Sequence, residues 1–175
     1  MQNGERFGLS VTYSQDGEIL LGTAGAIKKA LPLLEDNFFI IYGDSYLDCD
    51  YERIQRAFKK ANKLSLMTVF KNNNQGDKSN ITFKNGEIIE YDKEKSNSNM
   101  QYIDYGISIF NKSTFLNILE SNFYDLVCLY KKLLINKQLA AFQVYQLFYE
   151  IGSLAGLFSF NNYLKNKNLL NKTLN

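Results

Sequence analysis

Histidine is absent from this sequence. That excludes histidine general acid–base chemistry, histidine triads and histidine-ligated zinc. Cysteine is almost as scarce. Cys49 and Cys128 fit neither a CxxC pair nor a metal-ligand spacing, so both are expected to be reduced and structural, in a cytoplasmic protein. No apolar run approaches the roughly 20 residues that span a bilayer. The first residues, Met1-Gln-Asn-Gly-Glu-Arg6, are polar and read as no signal peptide. Charge of one sign is missing too: the net charge is +2 and no block of lysine or arginine is long, so the footprint of a nucleic-acid binder is not visible. Finally, no Gly-rich phosphate-binding loop occurs anywhere in the chain.

What remains is a chain of 175 residues, 45% hydrophobic and 14% aromatic, long enough for one domain with a real core. Phe7, Leu9, Val11 and Tyr13 alternate and predict a strand. Ala24 to Leu34 predicts a helix whose last turn is disturbed by Pro32. The continuous apolar runs Phe38 to Tyr42 and Leu64 to Phe70 predict strands covered on both faces. Asp50 is placed to cap a helix between them, with Ile54, Ala57, Phe58 and Ala61 as its apolar stripe. Strand, helix, strand, helix, strand is the order of an α/β sheet with crossover helices. Asn85-Gly86 predicts a hairpin between short strands at 81–83 and 87–91. The polar segments 71–79 and 96–100 read as loops. Further on come a strand at 102–110, helices at 113–119 and 124–136, a short strand near 141–144, and a last helix from Gly152 to about Leu164. The Asn- and Lys-rich tail from Lys165 is expected to be loose.

Four segments carry residues suited to chemistry. Asp44 directly follows a buried strand and Gly43, where α/β sheets collect ligands. It is either a hard oxygen donor for Mg²⁺ or a residue that merely ends the strand. Asp48 and Asp50 read as turn and cap residues. Leu21-Gly-Thr-Ala-Gly-Ala26 puts Gly22 and Thr23 at a helix start, where free N–H groups meet a phosphate or a base edge; otherwise Thr23 is simply an N-cap. In Phe148-Tyr-Glu-Ile-Gly-Ser153, Glu150 either faces a metal across a cleft or favours a helix dipole, and Ser153 can cap the final helix. In Tyr102-Ile-Asp-Tyr-Gly-Ile107, Asp104 and Gly106 either bracket a polyol or belong to ordinary aromatic strand packing. Lys93 either meets a substrate phosphate or is solvated.

Taken together and in this order, the four segments resemble those of sugar-1-phosphate nucleotidyltransferases over about residues 5 to 165, most of all the branch of D-glycero-D-manno-heptose 1-phosphate guanylyltransferases. The resemblance implies an α/β, Rossmann-like three-layer fold with a mixed sheet, similar to glycosyltransferase-A. It implies nucleotidyl transfer from an NTP, GTP favoured, to a sugar 1-phosphate, heptose 1-phosphate favoured, with release of pyrophosphate, serving lipopolysaccharide or capsule synthesis. Asp44 then resembles the principal Mg²⁺ ligand and Glu150, where many relatives have Asp, the second. Gly22 and Thr23 resemble the nucleotide-contacting loop, and Lys93, Asp104 and Gly106 the substrate-binding residues. Family members begin with a strand, a Gly-Gly-x-Gly-Thr-Arg loop and a Pro-Lys segment. This sequence has none of them, which implies a fold truncated at the N-terminus: a partial domain at 1–165 with a hairpin insertion at about 79–100, then a polar tail at 166–175. The alternative reading is therefore a catalytically inactive C-terminal fragment, or a nucleotide- or partner-binding subunit that lacks the triphosphate loop and awaits an N-terminal partner fragment. No nucleic acid or membrane partner is expected.

Overall fold

The structure is a computed structural model and describes residues 3–72, 78–118 and 123–173. The order of its main elements is α1 (Gly22–Ala30), β1 (Asn37–Ile41), β2 (Ser45–Leu47), α2 (Tyr51–Ala61), β3 (Ser65–Lys71), β4 (Ile81–Lys84), β5 (Glu87–Tyr91), β6 (Tyr102–Asn111), α3 (Leu126–Ile135), β7 (Leu139–Val144), β8 (Phe148–Glu150) and α4 (Leu154–Thr173). Six strands form a mixed sheet. β5, β4, β6, β3 and β7 follow one another, and β1 shares an edge of β6 with β4. β3 runs parallel to β7 and antiparallel to β6, and β1 is also antiparallel to β6. The two apolar runs read from the sequence are thus not neighbours; β6 lies between them. β2 and β8 form a separate antiparallel pair.

Period-two alternation explains the three layers. Met67 and Val69 of β3 and Phe110 of β6 enter a core completed by Ala24 of α1 and by Leu126, Leu129, Tyr130 and Leu133 of α3. Leu66, Tyr105, Ile107 and Ile109 point the other way, onto Ile54 and Phe58 of α2. Both sheet faces are covered, as continuous apolar strands require. Two buried hydroxyls of β3 are satisfied by β6: Ser65 Oγ donates to the Ile109 carbonyl at 3.0 Å, and Thr68 Oγ1 to that of Ile107 at 2.7 Å.

Local signals act as their chemistry dictates. Asp50 accepts the Arg53 N–H at 2.9 Å and caps α2. Asn85 and Gly86 both have positive φ and turn β4 into β5. Pro32 ends α1 in a short 3₁₀ turn, Leu31–Leu33. Ser153 Oγ accepts the Gly156 N–H at 3.0 Å at the start of α4, which runs beyond the expected end near Leu164 as far as Thr173.

Three expectations are corrected. Phe7 to Tyr13 is not a strand: a 3₁₀ turn covers Glu5–Phe7, and Leu9 to Tyr13 forms no strand ladder among the described residues, with Phe7, Leu9 and Tyr13 more than half exposed. Alternation supplies a face but not a neighbour, and a strand without a partner cannot satisfy its backbone. The helix expected from Ser113 is a 3₁₀ turn, Lys112–Phe115, and its expected end at Leu119 lies outside the described residues. In the 96–100 loop, Met100 is fully buried. Residues 73–77 of the other polar segment lie outside the described residues. Cys49 and Cys128 are free thiols, with burial pushing Cys49 up to about 11 and Cys128 exposed. No helix among the described residues is long and apolar enough to cross a membrane.

Phe110 is fully buried, with its ring 5.2 Å from that of Phe115 and 5.3 Å from that of Tyr130. Phe110→Ala is expected to cost about 3–5 kcal/mol of folding stability through lost burial and the cavity left behind. Urea denaturation measures it; a loss below about 1 kcal/mol would show that this layer is not packed as described.

Candidate active site

The site is built where β1 leaves the sheet. Gly43 and Asp44 are exposed, and a Cβ at Gly43 would meet no atom within 4 Å. After them the chain enters β2, whose Ser45 pairs with Glu150 of β8. Backbone pairing therefore brings Asp44 and Glu150 side by side, although more than a hundred residues separate them. The Ile151 N–H donates to the Asp44 carbonyl at 2.7 Å and closes the strap. Gly152 sits between the two side chains: a Cβ there would lie 2.7 Å from Glu150 Oε1 and 3.3 Å from the Asp44 Cβ. Gly156 presses on Glu150 from the helix, leaving no space for a Cβ against the Glu150 carbonyl and only 2.6 Å to its Oε2. Ser153 Oγ donates to that Oε2 at 2.5 Å. Glu150 thus serves the start of α4 through one oxygen, while its Oε1 faces the side of Asp44.

A second group surrounds Tyr42. Opposite the single residue Thr68 of β3, β6 fits three residues, Tyr105 to Ile107, with Gly106 at φ +94°. This bulge re-aims the strand. Asp104 turns back and accepts the Gly106 N–H at 3.0 Å, and the Gly106 carbonyl accepts the Tyr42 N–H at 3.4 Å. A Cβ at Gly106 would lie 3.4 Å from the Tyr42 ring, and Lys93 Nζ stands 5.8 Å from the centre of the same ring. Lys93, Asp104 and Gly106 are therefore gathered around one aromatic side chain. Asp104 is half-buried as a residue, yet its Oδ2 is sealed from solvent and has no partner among the described residues. Burial pushes this carboxyl above the usual carboxylate range, against the pull of the Gly106 amide and the Lys93 charge. Burial also raises the Tyr42 phenol, and the charges of Asp104, Asp125 and Asp44 raise it further.

Gly22 and Thr23 lie where two helix starts meet. Gly22 has φ +72°, and a Cβ there would sit 2.7 Å from the Tyr124 carbonyl, so only glycine fits. That carbonyl accepts the N–H groups of Ala24 and Gly25, at 2.9 and 3.1 Å. Thr23 does not cap its own helix; its Oγ1 accepts the Leu126 N–H at 2.8 Å and ties down the start of α3. Asp125 caps α3 through the Val127 N–H at 2.8 Å. Among the described residues, the Gly22 and Thr23 amides, at the very start of α1, do not share the Tyr124 carbonyl that holds the next two. Of the expected caps and turns, Asp50 acts as a cap, while Asp48 binds Tyr163 and Lys167 and so holds α4 to the chain after β2.

Sequence reasoning missed Tyr42, Asn80 and Asp125. Asn80 Oδ1 accepts the Asp104 N–H at 3.3 Å and has no motif to mark it. Tyr42 closes an apolar run and reads as core. Asp125 was legible, since an Asp ahead of an apolar helix is a capping signal.

As to metal, no cluster of three or more ligand side chains exists among the described residues. Two carboxylates at an open strand end fit Mg²⁺, which keeps several waters and takes few carboxylates besides substrate phosphates. Carboxylates at a strand end and free N–H groups at a helix start are features that suit a phosphorylated ligand in α/β domains. The chain belongs to the nucleotidyl transferase family, whose sequence profile matches residues 1–165. Its fold is the Rossmann-like nucleotidyltransferase fold of solved structures that share 18–19% identity with it. A protein described as a glucose-1-phosphate thymidylyltransferase from Bacillus anthracis, in complex with a sucrose, matches 93% of this chain with a TM-score of 0.79. The inositol-1-phosphate CTP transferase from T. maritima matches 87% with a TM-score of 0.65, and HddC from Yersinia pseudotuberculosis, complexed with GMP-PN, matches 81% with a TM-score of 0.62. This chain covers 68%, 66% and 62% of those three chains. A UTP–glucose-1-phosphate uridylyltransferase from Synechocystis sp. is 35% identical over 60 residues, which are 28% of this chain and 16% of that enzyme. Family members typically use a divalent metal.

The Asp104 carboxyl gives a linkage test. Its folded-state value is raised above 3.8, so the folded protein holds this proton more tightly than the unfolded chain. The stability it contributes is full below 3.8 and is lost as pH rises through the folded value. Asp104→Asn keeps an acceptor for Gly106 but cannot ionise. The variant should gain stability relative to wild type as pH rises above 3.8, read from urea midpoints at several pH values; parallel curves would overturn the assignment.

Proposed function

We propose that the protein acts in nucleotidyl transfer from an NTP, GTP favoured, to a sugar 1-phosphate, heptose 1-phosphate favoured, for synthesis of a surface glycan such as lipopolysaccharide or capsule. The observation that carries the reading is the convergence of Asp44 and Glu150 on Gly152, next to the Lys93, Asp104 and Gly106 group. A phosphate oxygen of the sugar 1-phosphate attacks the α-phosphorus of the nucleotide; the new P–O bond forms as the bond to the bridging oxygen breaks, and pyrophosphate leaves. The nucleophile is already anionic and needs no protein base, in keeping with a chain that has no histidine. Bound Mg²⁺ would neutralise charge on the phosphates. Asp44 and Glu150 would hold it. Lys93 is placed to meet the sugar phosphate, Asp104 and Gly106 the sugar hydroxyls, and the Gly22 and Thr23 amides the nucleotide. GTP and heptose rest on the sequence resemblance, supported by the likeness to a protein solved with GMP-PN.

A second reading has its own observation. β1 pairs with β6 alone among the described residues, so its other edge is open, and the described residues ahead of α1 form no strand beside it. Open edges accept strands. On this reading the chain is silent by itself and binds a partner fragment that supplies a strand and the triphosphate loop.

Calorimetric titration of GTP with Mg²⁺, alongside CTP, UTP and dTTP, tests both. The first reading expects saturable binding that needs Mg²⁺ and prefers one base. Asp44→Asn should weaken it at least about tenfold, as expected for loss of a charged ligand. Mg²⁺ dependence unchanged in that variant would remove the metal role. No binding by the folded chain, restored by a separately made N-terminal fragment of a relative, would favour the second.

A further inference from the structure

Away from the carboxylates, the flank of α1 helps to enclose a cavity of about 760 Å³. That lies within the roughly 300–1,000 Å³ of small-molecule sites. Its apolar wall includes Leu31, Pro32 and Leu116, and three lysines, Lys28, Lys29 and Lys112, line it as well. Each ammonium is steered by a backbone carbonyl: Lys28 Nζ donates to Leu116 at 3.2 Å, Lys29 Nζ to Asp16 at 2.9 Å, and Lys112 Nζ to Leu34 at 2.8 Å. An ammonium has three donors, so each keeps two. None of the three enters an ion pair among the described residues, whose pairs are Arg56–Glu52, Lys131–Asp92 and Lys167–Asp48. Asp16 and Glu18 also line the cavity. They leave an excess of one positive charge there, and neither carboxylate engages a lysine.

We propose that this cavity binds a small amphiphilic anion, a single phosphate or carboxylate carried on an apolar body. Carbonyl tethers hold the ammoniums in place without neutralising them, so an entering anion meets oriented donors. Partial removal from water strengthens those bonds. The apolar wall excludes bare inorganic ions as good ligands, because they leave it uncovered. None of Asp44, Lys93, Asp104, Gly106 or Glu150 lines the cavity; Leu21 and Gly25 do, so it adjoins the start of α1 while standing apart from the strand-end carboxylates. Lys28 and Lys29 nevertheless sit on the helix that begins at Gly22.

The test is calorimetry on the full chain at low salt with four probes: decanoate, adenosine monophosphate, inorganic phosphate and 1-decanol. Decanoate or adenosine monophosphate should bind at one site at least about tenfold tighter than both phosphate and 1-decanol, and which of the two binds identifies an acyl or a nucleotide source. The triple variant K28Q/K29Q/K112Q, with its melting temperature checked, should lose at least about tenfold in affinity. Leu116→Glu, at an exposed wall position, should abolish binding with the lysines intact. Equal binding of 1-decanol and decanoate, no binding of either anion, or unchanged binding by the triple variant would overturn the proposal. So would binding that survives the lysine changes but is lost in Asp44→Asn, since it would belong to the strand-end site. The decanoate result is independent of whether the chain transfers nucleotides.

Discussion

β6 has to serve three neighbours at once, and that demand shapes the rest of the domain. Along one edge it pairs with β3; along the other it meets β1 near its end and β4 at its start. Its side chains must also fill both layers, with Phe110 on the side of α1 and α3, and Tyr105, Ile107 and Ile109 on the side of α2. A regular strand would carry that alternation straight through. The bulge at Tyr105 to Ile107 interrupts it, and Gly106, held at φ +94°, pays the conformational cost that another residue would find steep. Thr68 spends its hydroxyl on the Ile107 carbonyl that the irregular pairing would otherwise strand. The same irregularity lets Asp104 reach the Gly106 amide and brings Gly106 against Tyr42. Core packing and the geometry of the site are therefore consequences of one strand.

Much of this was legible in residues whose effect is local. Asn85-Gly86 had to turn, Asp50 had to cap, and the apolar runs had to be covered on both faces. The order of the four chemical segments also pointed to the fold. What escaped depends on partners distant in sequence. The alternation at Phe7 to Tyr13 is as good as that of many strands, but no strand pairs with it among the described residues. β2 and β8 are three residues each, too short for any periodicity, and they exist because each is the other's partner. That pairing is what joins Asp44 to Glu150. No reading of either segment alone could have established it.

The glycines of the last segment show how a longer carboxylate is accommodated. Glu150 occupies a position where the family resemblance leads one to expect the shorter Asp. Gly152 and Gly156 both give way to its side chain, and Ser153 fixes one of its oxygens. Any β-carbon at Gly156 would displace the residue. Only residues without a β-carbon at 152 and 156 leave room for this longer side chain beside Asp44.

Tyr42 is the residue through which the parts of the site act on one another. Its ring covers Gly106 on one side and meets Lys93 on the other, and the charges of Asp44, Asp104 and Asp125 all reach its phenol. Burial raises the Asp104 carboxyl above its usual range, and the Asp104 charge in turn raises the Tyr42 phenol. An aromatic residue that reads as the last member of a buried strand is thus what links the Asp44 segment to Lys93, Asp104 and Gly106.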